Sequence, residues 1–300
     1  MRAWKIPVPF LHDKLAAKSE MPDDIKGAVS CFLKKEKMKT GLLAGKSIVV
    51  IGGTTGIGLS AAKSFVGEGA KLVVVGRNEE HVLEVKSLLK ENIETISADA
   101  THSETAINAI KLCIEEFGGF DGLYHIAGGS GRKMGDGPLH ELSLDGWNKT
   151  LQLNLTSLML SNQAAIKKFL ELKKGGSILN MGSVLGFSPS PQYFSTHAYA
   201  AAKSAIIGFS KSIAAYYAKD NIRVNVIAPG LVETPMAQRA ANDDSILSFI
   251  KTKQPLDGGR IGNPGDTDGL AVYFMSDGSK FTTGQVVAVD GGWNISEGQY

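Results

Sequence analysis

A doubly wound α/β fold, with a seven-stranded parallel sheet and helices on both faces, is what this sequence predicts. Three observations point to it. Short runs rich in β-branched residues are apolar at every position, so as strands they are buried on both faces. Stretches of helix length and composition separate them. No linker-like change of composition interrupts the alternation, so one domain is expected over residues 45–300.

The elements follow in order. Ser47-Ile48-Val49-Val50-Ile51 is the first strand, ended by glycines, and residues 57–68 form the first helix. A second strand over 72–75 stops at Gly76; a helix over 79–90 leads to a strand at 93–97. A helix over 104–117 then leads to a strand at 122–127. The later half continues with a long helix over 144–173, a strand at 177–181, a helix over 198–218 and a strand at 224–228. A helix over 267–276 precedes the last strand, 285–290. Residues 1–44 break the pattern. Pro7, Pro9 and Pro22 interrupt them, residues 24–39 suit a short amphipathic helix, and the whole reads as an N-terminal extension.

Composition limits the function classes. At 43% hydrophobic and 21% charged the chain is of ordinary globular type, and a net charge of +2 argues against nucleic acid or an anionic membrane as partner. The extension carries nine Lys/Arg against five Asp/Glu, which leaves the remainder slightly acidic. Cys31 and Cys113 are too few for a disulfide framework and read as reduced thiols of a cytoplasmic protein. No run of 18 apolar residues suits a membrane span, and the start lacks an export-signal pattern.

Gly52-Gly53-Thr54-Thr55-Gly56-Ile57-Gly58 lies between the first strand and the first helix. Glycines there permit a tight turn and close approach to a pyrophosphate, and the helix start offers unpaired N–H groups to that anion. The absence of a Gly-Lys-Ser/Thr ending disfavours an ATP or GTP phosphate loop. At the tip of the second strand stand Arg77 and Asn78, with no acid to receive ribose hydroxyls. Arg77 can pair with a 2′-phosphate, which favours NADP, with NAD as the alternative. Asp99, followed by Ala100, is placed either to accept from an adenine amino group or to cap the next helix.

The chemistry-bearing cluster is further along. Tyr199 and Lys203 are four residues apart, hence on one helix face, where an ammonium favours the phenolate. Ser183, at the end of the fifth strand, can hold a substrate oxygen. Asn154 is polar in an apolar helical stretch; it is read either as a satisfied core amide or as a link, through water at a locally opened backbone bond, between Lys203 and solvent.

Together these residues resemble the classical short-chain dehydrogenase/reductase family over about residues 45–293. The matching positions are Gly52, Gly56 and Gly58, Asp99, Ala127-Gly128, Asn154, Ser183, Tyr199 with Lys203, Pro229-Gly230, Thr234, and the ending Thr283 to Gly292. The resemblance implies a Rossmann-type domain and a catalytic tetrad of Asn154, Ser183, Tyr199 and Lys203. It implies that Lys203 also binds the nicotinamide ribose, while the loop of Pro229, Gly230, Val232 and Thr234 holds the carboxamide. The expected reaction interconverts a carbonyl and an alcohol, on a 3-oxoacyl-, sugar- or ketone-like substrate, without a metal. A homodimer or homotetramer built on the helices carrying Asn154 and Tyr199 is implied as well.

Three departures stand out. Ile51 replaces a usual Thr. The usual Asn-Asn-Ala-Gly is His125-Ile126-Ala127-Gly128, so His125 either replaces an amide hydrogen bond, the preferred reading, or alters the pH response. Ser183 and Tyr199 are 16 positions apart, which enlarges the loop at 187–196. The substrate mouth is expected at 129–137, 187–197 and after Thr234. Arg132 and Lys133 there either receive an acidic group or form a solvated edge. The alternative functions are an NAD-dependent enzyme of the same family and a nucleotide-sensing or interaction protein whose catalysis has lapsed.

Overall fold

The computed structural model describes residues 41–298. The helix expected at 24–39, like the rest of the extension through residue 40, lies outside the described residues. Leu43, in the turn before the first strand, is fully buried, and its N–H donates to the Glu68 carbonyl at 3.0 Å.

Seven strands form one parallel sheet among the described residues: β1 (Ser47–Ile51), β2 (Lys71–Gly76), β3 (Ile93–Ser97), β4 (Gly122–His125), β5 (Gly176–Met181), β6 (Ile222–Pro229) and β7 (Val286–Val289). Their order is β3-β2-β1-β4-β5-β6-β7. The direction of succession reverses between β1 and β4, and a crevice opens there beyond the strand ends. Ile51 is paired with Val75 on one side and His125 on the other, so the three strand tips are level.

Alternate residues of each strand face opposite layers, because strand side chains have a period of two. Ile48, Val50, Leu72 and Val74 pack beneath α1 (Gly56–Gly67), α2 (Glu79–Leu89) and α9 (Asp268–Met275). Val49, Ile51, Val73 and Val75 pack beneath α3 (Ser103–Phe117), α5 (Ser157–Glu171) and α6 (His197–Tyr217). Each such fully buried Val, Leu or Ile contributes roughly 1.5–3 kcal/mol over an exposed one. Phe120 and Phe169 stack in the second layer with centroids 4.6 Å apart.

The structure departs from the expected elements in two places. The long helix over 144–173 is α4 (Leu144–Leu151) and α5 joined by a π-turn at Gln152–Thr156. After β6, where no helix was expected, α7 (Gln238–Ala241) and α8 (Asp244–Lys253) fold back. Asp243 caps α8, accepting from the N–H groups of Ser245 and Ile246. Ile246 and Ile250 of α8 bury against Val184 and Trp293, contacts distant in sequence.

Candidate active site

A cleft of about 920 Å³ runs across the ends of β1, β2, β4, β5 and β6. Of the residues singled out from the sequence, Gly52, Thr54, Thr55, Gly56, Ile57, Arg77, Asn78, Asp99, Ala100, Ala127, Gly128, Asn154, Ser183, Tyr199, Lys203, Pro229, Gly230, Val232 and Thr234 all line it. Gly58 does not. It lies beneath the turn, where an added Cβ would stand 2.0 Å from the Gly52 carbonyl oxygen; its role is to let α1 start against the glycine turn.

Gly52 has φ +88° and Gly56 φ +50°, values that a side chain disfavours. Thr55 occupies the N-cap of α1 without a side-chain cap bond, so first-turn N–H groups remain for the cleft. Arg77 is exposed, its Nη1 3.9 Å from Asp99 Oδ2. Asn78 caps α2 through the His81 N–H at 2.9 Å. Asp99 is not the cap of α3, a position held by His102; its Oδ1 instead accepts from the Thr101 N–H and hydroxyl, both at 2.8 Å. Burial raises the Asp99 carboxyl, but the Thr101 bonds and Arg77 outweigh it and hold the pKa below the usual range.

At the other end Asn154, fully buried in the π-turn, donates from Nδ2 to the carbonyls of Gly129 and Thr150, both at 2.9 Å. Its Oδ1 accepts from the Gly129 N–H at 3.1 Å. Lys203 Nζ donates to the Met181 carbonyl at 2.8 Å and stands 5.5 Å from the Tyr199 ring centroid. Burial lowers the Lys203 pKa to about 8. The Ser183 hydroxyl faces the Tyr199 phenol. Burial nevertheless raises the phenol above its ordinary value, with Ser183 offsetting part. The acidification expected from the ammonium is therefore not what this geometry gives: drying of the phenol outweighs the Ser183 hydrogen bond that favours the phenolate.

His125 is wholly buried, with Nδ1 3.0 Å from the Ser161 hydroxyl and Nε2 3.4 Å from that of Ser157. Burial, then the Lys203 charge, lower its pKa to about 3, so it is a neutral hydrogen-bonding group throughout the physiological range. That agrees with the replacement of an amide hydrogen bond.

Three residues that shape the site were not singled out from sequence, although Asp136 and Arg239 fall in segments expected at the mouth. Asp136 accepts the N–H groups of Ala198 and Tyr199 at 3.0 and 2.9 Å, and so fixes the first turn of α6 from a loop 62 positions away. Trp293 returns from the end of the chain, donating from Nε1 to the Ser188 carbonyl at 3.2 Å, and lines the cleft. Arg239, on α7, lines it as well. No local pattern marks any of the three.

The residues suit a dinucleotide. One end of the cleft offers free N–H groups beside a glycine turn, the other a buried ammonium with protons to spare beyond the Met181 carbonyl. In this geometry the cleft can hold an anion at one end and hydrogen-bond a reacting oxygen at the other.

The family model described as enoyl-(acyl carrier protein) reductase matches residues 52–294. A 2,5-dichloro-2,5-cyclohexadiene-1,4-diol dehydrogenase of Sphingobium indicum is 34% identical, over 84% of this chain and 98% of its own. A 3-oxoacyl-[acyl-carrier-protein] reductase of Chlamydia trachomatis is also 34% identical, over 84% of this chain and 99% of its own. A solved short-chain type dehydrogenase/reductase from Mycobacterium ulcerans superposes with a TM-score of 0.78 at 28% identity, covering 85% of this chain and 91% of that one. The cleft at the β1/β4 reversal thus belongs to a chain that is a member of the short-chain dehydrogenase/reductase family, NAD(P)-dependent oxidoreductases.

Proposed function

We propose that this protein interconverts a carbonyl and a secondary alcohol, with NADP as the preferred cofactor and Asn154, Ser183, Tyr199 and Lys203 as the working residues. The observation that carries this reading is the meeting of Ser183, Tyr199 and Lys203 in one cleft, beside a loop clamped by Asn154.

In reduction Tyr199 donates its proton to the substrate oxygen, which Ser183 holds by a hydrogen bond as charge develops there. Lys203, fixed on the Met181 carbonyl, would hold the nicotinamide ribose. Gly52, Thr54, Thr55, Gly56 and Ile57 would cradle the pyrophosphate; Asn78, Asp99, Ala100, Ala127 and Gly128 would line the adenosine side and floor; Pro229, Gly230, Val232 and Thr234 would hold the carboxamide. A bound nicotinamide supplies or accepts the hydride. Preference for NADP rests on Arg77, exposed at the β2 tip with only a long contact to Asp99. That same contact favours the second reading, NAD as cofactor, because Asp99 partly neutralises the guanidinium.

The test is a panel of ketones, sugars and acyl thioesters assayed by nicotinamide absorbance with both cofactors, using wild type and Tyr199→Phe. Turnover that is lost in the variant while the cofactor still binds supports the reading; full turnover in the variant ends it. Residues 1–40 are proposed as an appendage to a single catalytic domain that takes in residues 41–44, since Leu43 is buried in its core, and the assembly as a dimer or tetramer built on the helices around Asn154 and Tyr199. Light scattering before and after removal of the appendage tests both. A cytoplasmic location is proposed with the reading of Cys113 as a reduced thiol, and fractionation tests it. Among the described residues no helix is long and apolar enough to cross a membrane.

A further inference from the structure

The cleft carries a second chemical feature besides the four polar residues. Arg132, in the 3-10 turn Arg132–Met134, donates from Nη2 to the Tyr193 carbonyl at 3.1 Å. Arg239 donates from its own Nη2 to the same oxygen, also at 3.1 Å. One carbonyl therefore holds two guanidinium groups side by side, and both residues line the cleft shared with Ser183 and Tyr199.

Among the described residues neither arginine has a carboxylate within ion-pair distance. Arg132 feels Asp136, but both oxygens of that carboxylate already accept backbone N–H groups of α6. Burial, then the Arg239 charge, lower the Arg132 pKa. The pair is also held in place: Arg239 lies 6.0 Å from the Phe194 ring centroid, and Phe194 meets Trp293 edge-on at 5.6 Å.

Two like charges brought together without an ion-paired acid repel one another, and an oxyanion between them removes that cost while taking charge-assisted hydrogen bonds from both. We propose that Arg132 and Arg239 bind an anionic group, a carboxylate or a phosphate, on the carbonyl or alcohol substrate. This rests on the reading of the cleft as a carbonyl–alcohol site. It assigns to the substrate an acidic group separated from the reacting carbon.

The experiment uses the full chain and matched pairs: a chain-length series of oxo carboxylates, each against its methyl ester, and hydroxyacetone phosphate against hydroxyacetone. Wild type should favour the charged member of a pair by at least about tenfold in kcat/KM, and the better-served series tells carboxylate from phosphate. Arg132→Gln and Arg239→Gln should each erase most of that preference through KM, and Arg239→Lys should restore part of it. Equal use of both members by wild type, or an unchanged preference in the variants, overturns the proposal. If no ketone is turned over, the carbonyl–alcohol reading is what fails. Calorimetric titration of levulinate and of inorganic phosphate then decides the anion site: binding by wild type that the R132Q/R239Q double variant loses supports it, and equal or absent binding refutes it.

Discussion

Asn154 and Gly129 clamp one another: the Asn154 amide donates to the Gly129 carbonyl at 2.9 Å and accepts from the Gly129 N–H at 3.1 Å. The π-turn at Gln152–Thr156 supplies this contact by bulging the helix, while the second amide hydrogen goes to the Thr150 carbonyl. Both hydrogens are thus committed, and the side chain fixes the loop rather than carrying a proton on its own amide. Gly128 shows how tight the junction is: an added Cβ would lie 2.7 Å from Asn154 Oδ1 and 3.7 Å from Lys203 Nζ.

Replacing Asn154 by Asp should therefore be more damaging than its size suggests. A carboxylate would face two carbonyls that have lost their donor, each costing about 1–3 kcal/mol when left unsatisfied and buried. The expected result is a lower melting temperature together with at least about tenfold lower kcat. A fully active, equally stable Asn154→Asp protein would remove the clamp from the argument.

The raised Tyr199 pKa sets a direction for the pH dependence. Below its pKa the phenol keeps its proton, the form that reduction needs, so reductive kcat/KM should change little between about pH 6 and 8. Oxidation needs the phenolate and should climb by about tenfold per pH unit over the same range. Initial rates in both directions across that range test this. A flat oxidative profile would mean that Tyr199 is not the base.

His125 should make the fold acid-sensitive. Its folded pKa is about 3 against 6.5 for the free side chain, so the unfolded chain binds a proton that the folded chain refuses. The contribution is complete above about pH 6.5 and is lost as pH falls toward 3, by about 1.4 kcal/mol per unit. Urea melts of wild type and His125→Asn at several pH values should show a shallower acid loss in the variant, which has no imidazole to protonate.

Gly58→Ala tests the glycine turn from a residue that does not itself line the cleft. The new methyl would meet the Gly52 carbonyl at 2.0 Å, and backbone cannot swing aside as a long side chain does, so the start of α1 must move. NADPH affinity, followed by fluorescence titration, should fall at least about tenfold. Retained affinity would show that the N–H groups of α1 are not the anion site.

Arg77→Ala addresses the cofactor. The NADP KM should rise about tenfold or more while the NAD KM changes little, because only the former offers a 2′-phosphate to the lost fork of donors. An unchanged NADP KM removes Arg77 from that role.

Much of the fold was legible because its signals are local. The apolar run 47–51 is buried at every position, and the glycine turn after it leads directly into α1, as the spacing implied. Asn154, Ser183, Tyr199 and Lys203 stood out as polar groups among apolar or small neighbours, but their joint role came from the family resemblance; what the fold adds is that all four line one cleft. The π-turn was not legible, because one widened helical turn leaves the apolar periodicity nearly intact. Helices α7 and α8 were missed because what stabilises them, the packing of Ala240, Ile246 and Ile250 with Val184 and Trp293, joins distant parts of the chain.

The sequence by itself determined the succession of strands and helices, the glycine turn, and the helical spacing that puts Tyr199 and Lys203 on one face. Those follow from short-range backbone preferences and from the periods of two and 3.6 residues. Only the tertiary structure decided the ionisation of the site and the shape of its mouth. Burial, a property of the whole packed chain, raises the Tyr199 phenol and lowers the Lys203 ammonium. The meeting of Arg132 and Arg239 at the Tyr193 carbonyl likewise needs a 3-10 turn, a loop and helix α7 folded over the same strand ends, which no local stretch of chain encodes.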